Sequence, residues 1–117
     1  MCTLTRIPML IALALCCVLP VSAHAILLSA TPESESTVSG PEVRVRLQFN
    51  SRIDGKRSRL SLVLPEAPER LLATSQPTAA IVASDIKNLP PGTYVLRWQV
   101  LAEDGHITRG ELPFRVK

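Results

Sequence analysis

An antiparallel β-sandwich is the fold this sequence predicts, and three observations predict it. Apolar and polar residues alternate without a break over several short runs. Residues that favour turns separate those runs at regular intervals. Beyond the first 25 residues no long stretch repeats apolar positions at helical spacing.

The elements follow in order. Weaker strands are expected over His24–Ser29, Arg70–Thr74 and Thr78–Ala83. Thr31-Pro32 through Gly40-Pro41 is a polar connection. Val43, Val45, Leu47 and Phe49 alternate with Arg44, Arg46 and Gln48, so the four apolar residues face inward on a half-buried strand. Leu60, Leu62 and Leu64 repeat the period of two, and Pro65 to Pro68 ends that run. Asn88-Leu89-Pro90-Pro91-Gly92-Thr93 is a tight turn; Pro91 suits position i+1 and Gly92 position i+2 of a type II turn. Tyr94, Leu96, Trp98 and Val100 form the next inward row, with Arg97 and Gln99 on the other face. Leu112, Phe114 and Val116 make the last strand; Pro113 donates no hydrogen bond, which predicts an edge or a bulge there. About seven short strands in this rhythm point to a Greek-key arrangement. Leu89 to Tyr94 resembles the tyrosine corner of immunoglobulin-like sandwiches, which makes Tyr94 structural and Trp98 a core residue.

Residues 1–23 read as an export signal cleaved from a domain spanning 24–117. Arg6 is the only charge in the first 32 residues. The apolar run Ile7–Leu19 is 13 residues long, short of the roughly 20 that cross a bilayer. Val21-Ser22-Ala23 and Ala23-His24-Ala25 both satisfy the small-x-small rule for cleavage. The first leaves His24 at the amino terminus; the second removes it. Cys2, Cys16, Cys17, Met1 and Met9 all lie in the signal. The remaining 94 of the 117 residues therefore hold no disulfide, thiolate or thioether ligand. Twelve cations against ten carboxylates give that domain a charge of +2, too mild to imply nucleic acid. Arg52, Lys56, Arg57 and Arg59 cluster, either as a solvated turn or as a docking patch for an anionic partner or lipid surface.

Only two histidines are present, His24 and His106. A histidine at the amino terminus offers its α-amine and its ring in one chelate. Asp104-Gly105-His106 puts a carboxylate and an imidazole two residues apart, on one face of extended backbone. Three nitrogens and one oxygen suit Cu(II) better than Zn(II). From spacing alone this reading stands level with another: His24 a frayed terminal residue and His106 a hydrogen-bonded turn histidine.

The motifs add a resemblance. Ala23-His24-Ala25-x-Leu27 with Ser29-x-Thr31-Pro32 opens it. Val43-x-Val45-x-Leu47-x-Phe49 and Leu89-Pro90-Pro91-Gly92-Thr93-Tyr94 continue it. Trp98-x-Val100-x-x-x-Asp104-Gly105-His106 and Gly110-x-x-x-Phe114-x-Val116 close it. From His24 to Lys117 the chain resembles the CopC family of periplasmic copper-resistance proteins. The resemblance implies a seven-stranded, cupredoxin-like Greek-key sandwich or barrel, export to the periplasm, and one Cu(II) held by His24 (amine and ring), Asp104 and His106. It also implies work beside an inner-membrane copper transporter of the CopD type; a monomer is the expected unit. Two departures stand out. Some relatives hold Cu(I) in a methionine-rich loop, and this domain has no methionine. Some place a glutamate where this chain has Phe49-Asn50-Ser51; Glu103, beside Asp104, is the carboxylate at hand to compensate.

The expectation is thus a copper-sequestering or copper-trafficking protein and not an enzyme. Two rivals are an immunoglobulin-like interaction module without metal and a copper monooxygenase acting on polysaccharide. The monooxygenase needs exposed aromatics for sugar stacking, and the strand pattern turns Phe49, Tyr94, Trp98 and Phe114 inward.

Overall fold

The computed structural model describes residues 25–117. Eight strands form there: β1 (Leu27–Thr31), β2 (Ser36–Val38), β3 (Val43–Phe49), β4 (Ile53–Val63), β5 (Arg70–Leu72), β6 (Ile81–Ile86), β7 (Gly92–Ala102) and β8 (Ile107–Val116). They make a three-stranded sheet, β1-β3-β6, and a five-stranded sheet, β2-β8-β7-β4-β5. The all-β, two-sheet expectation holds, and no helix occurs among the described residues.

The inward rows read from the sequence are the core. Val43, Val45, Leu47 and Phe49 are buried while the residues between them are exposed. Leu60 and Leu62 from β4, with Leu96 and Val100 from β7, are fully buried. Burial of each such side chain contributes about 1.5–3 kcal/mol over leaving it in water. Phe49 meets Trp98 edge to face, with centroids 5.3 Å apart, and so ties β3 of one sheet to β7 of the other. The tyrosine corner also forms: the Tyr94 hydroxyl donates to the Pro90 carbonyl. Tyr94→Phe leaves that carbonyl without its donor. The expected loss is about 1 kcal/mol, read from the urea midpoint; an unchanged midpoint would show that the corner is incidental.

Four details differ from the sequence reading. The eighth strand, β2, lies in the expected polar connection and pairs parallel with β8, Ser36 beside Phe114. The chain leaves the first sheet after Thr31 and joins the second at Ser36. The third weak strand begins at Ile81, because the carbonyls of Ala79 and Ala80 bond to Ile53 and Phe49 in a preceding turn. Pro113 is neither on a full edge nor in a bulge. Its carbonyl accepts from Glu35 on the β2 side; its missing N–H faces the same way, where pairing only begins, so no ladder bond is lost. Gly92 is not the left-handed residue of a type II turn: Asn88, at φ 57°, makes the bend, and Gly92 already pairs with Val116.

Candidate metal centre

Asp104 and His106 occupy the hairpin between β7 and β8. The Gly105 amide donates to the Ala102 carbonyl at 2.9 Å, and the Ala102 amide donates to the His106 carbonyl at 2.9 Å. Gly105 has φ 90°. This is a three-residue turn closed by a left-handed residue, a conformation that glycine adopts without steric cost. Asp104 is therefore in a turn, not on extended backbone as its spacing suggested. The two side chains meet all the same. Asp104 Oδ1 accepts from the His106 amide at 3.0 Å, and Oδ2 lies 2.7 Å from His106 Nδ1. The carboxylate thus engages one ring nitrogen and points Nε2 away from it. The imidazole is 58% exposed and the carboxylate 26%, so the pair is reachable from solvent yet held in place.

The start of the domain is fastened at the same end. Ala25 is buried. The Ile26 amide donates to Asn50 Oδ1 at 2.8 Å, and the Asn50 amide donates back to the Ile26 carbonyl at 3.0 Å. Two residues on, the Arg52 carbonyl accepts from the Glu103 amide at 3.1 Å. The loop Asn50–Arg52 therefore links the entering chain to the Asp104–His106 hairpin. Sequence reasoning missed Asn50. Its signal was a residue type that bonds nearby backbone, placed just after a strand.

His24, the expected signal 1–23 and the motif Val21-Ser22-Ala23 lie outside the described residues; of the second cleavage motif, Ala23-His24-Ala25, only Ala25 is described. Among the described residues no group of three or more metal-ligating side chains comes together. Asp104 and His106 supply two donors, and a metal held there needs the others from elsewhere.

Fold and hairpin together define a small two-sheet β-sandwich with a histidine–carboxylate pair at one end. The model of the CopC domain matches residues 27–117. Copper resistance protein C of Escherichia coli is 31% identical over 105 residues, which cover 81% of this chain and 82% of that protein. The crystal structure of CopC from Methylosinus trichosporium OB3b matches with a TM-score of 0.71 at 26% identity, over 80% of this chain and 94% of that one. PcoC, a methionine-rich copper resistance protein from Escherichia coli, matches at 0.66 and 27% identity, over 81% and 100%. The chain belongs to the CopC family of copper resistance proteins, as the motifs implied.

Proposed function

We propose that this protein is exported to the periplasm, loses residues 1–23, and binds one Cu(II) ion for sequestration or transfer. The ligands are the α-amine and ring of His24, the ring of His106 and the carboxylate of Asp104. One observation carries the reading: the chain entering at Ala25–Ile26 and the Asp104–His106 hairpin are both fastened to the loop Asn50–Arg52. His24 is the residue that directly precedes Ala25 in the chain. Copper resistance protein C of Escherichia coli and the matched PcoC, a copper resistance protein, supply the metal by their names.

Each donor has a task. The terminal chelate closes a ring through two nitrogens, so its second bond forms at small entropic cost. His106 adds a nitrogen from the far strand pair. Asp104 orients that ring and contributes charge or an oxygen. An α-amine ordinarily titrates near pH 8, so copper binding releases its proton and weakens as the solution is acidified. The reading is of a carrier, not an enzyme. All four aromatic residues, Phe49, Tyr94, Trp98 and Phe114, are buried, which leaves no aromatic platform for a polysaccharide. A membrane copper transporter of the CopD type is the proposed recipient or source, and a monomer the proposed unit.

The test is a Cu(II) titration of protein beginning at His24, followed by electron paramagnetic resonance. One tight equivalent with a tetragonal, nitrogen-rich spectrum is expected. Weak binding with the spectrum of loosely held surface copper would make the constellation accidental.

A further inference from the structure

The basic cluster singled out in the sequence lies outside the proposed ligand set, yet it stands beside the Asp104–His106 hairpin. The β4 strand pairs Asp54 with Leu101 and then Arg59 with Gln99, so the residues between are looped out as a bulge. Ser58 holds the bulge. Its hydroxyl donates to the Asp54 carbonyl at 2.6 Å and accepts from the Leu101 amide at 3.0 Å, filling the gap in the ladder. Lys56 and Arg57 are thereby held out into solvent. Arg57 keeps only a loose pair with Asp54, at 3.8 Å and with its own side chain 77% exposed. Next along the outer face, Arg59, Gln99 and Arg109 form one cross-strand row, and Arg109 bonds Gln99 rather than a carboxylate.

Charge is thus uneven. This end of the five-stranded sheet and its loops carry five cations (Arg52, Lys56, Arg57, Arg59, Arg109) against three carboxylates (Asp54, Glu103, Asp104). The rest of the described chain carries seven of each, so the whole net side-chain charge of the described residues sits at the end that carries the hairpin. Apolar exposure is uneven in the same direction. Of the four large apolar side chains exposed among the described residues, three lie at this end of the domain: Ile26 at 57% and Leu28 at 60% where the chain enters, and Ile107 at 54% beside the hairpin. Isolated apolar side chains that project beside cations suit a lipid surface, where the chains enter the headgroup boundary and the cations meet phosphates.

We infer that this end of the domain docks on an anionic lipid bilayer and so presents the hairpin to the membrane. The inference goes beyond copper binding and does not rest on it. The test is cosedimentation of the exported protein, metal-free and copper-loaded, with vesicles of phosphatidylglycerol and phosphatidylcholine or of phosphatidylcholine alone. Binding to the anionic vesicles only is expected. The double charge reversal Lys56→Glu with Arg57→Glu should weaken it about tenfold or more, as should raising salt well above physiological strength. Ile107→Ser should weaken it too, and all variants should melt with the parent. Equal, weak sedimentation with both vesicles overturns the inference. So does salt-sensitive capture by an acidic peptide that is indifferent to Ile107→Ser, because that outcome assigns the patch to an acidic protein partner.

Discussion

His24→Ala is expected to lower Cu(II) affinity by at least about 100-fold, the largest effect of any single substitution on the proposed function. Changing an outer group that merely orients a metal ligand already costs 10–100-fold. Removing the ring of His24 takes away a ligand itself and breaks the chelate. An extra residue ahead of His24 attacks the other half: it turns the α-amine into an amide and should change both affinity and paramagnetic spectrum. The metal-free variants should melt with the parent, since the bonds that fasten the start of the domain belong to Ile26 and Asn50. Isothermal titration with a competing chelator reads the affinities. Unchanged affinity in the extended protein would remove the terminal amine from the site, and unchanged affinity in both would remove His24 altogether.

The parts of this molecule legible in its sequence are those governed by local periodicity. Val43 to Phe49 and Tyr94 to Val100 read correctly because each alternation is a direct record of one buried and one solvated face. The parallel strand Ser36–Val38 was not legible: three residues carry no period, and their pairing depends on where β8 ends. The bulge at Gly55–Ser58 escaped for a similar reason, since only the folded ladder shows that Ser58 replaces a missing partner. At the site, Asp104-Gly105-His106 was legible as a motif but not as geometry. The spacing suggested a shared strand face, whereas a left-handed Gly105 brings the two side chains together through a turn. Asn50 was invisible as a functional residue because its importance lies in what it holds, the backbone of Ile26, 24 residues away. Apart from the local turn at Gly105, these misses concern contacts between distant parts of the chain.

Gly110→Ala is expected to destabilise the domain by about 2 kcal/mol or more, the range of overpacked cores. Gly110 faces Trp98 across the β7–β8 ladder. The Trp98 ring takes the space beside it: a Cβ at 110 would come within 2.7 Å of Nε1 and nearer still to Cε2 and Cζ2. Real Cβ atoms do not approach so closely, so the indole must move. It has little room, because its other neighbour is Phe49 of the opposite sheet, and Trp98 is only 8% exposed. For a domain of this size the loss corresponds to a fall of roughly 10 °C in melting temperature. A double-mutant cycle isolates the cause. In the Trp98→Ala background, Gly110→Ala should cost far less than in the parent, because the obstructing ring is gone. A cost equal in both backgrounds would mean that the alanine acts elsewhere. The consequence reaches the metal centre. Gly110 lies on β8, which begins just after His106, and the ladder that pairs Trp98 with Gly110 runs without a break to Leu101 and Ile107 at the hairpin. A displaced ring pushes on that ladder, so Gly110→Ala should also weaken Cu(II) binding at temperatures where the variant is still folded. Trp98→Ala with Gly110→Ala should restore part of that affinity even though it lacks the core tryptophan.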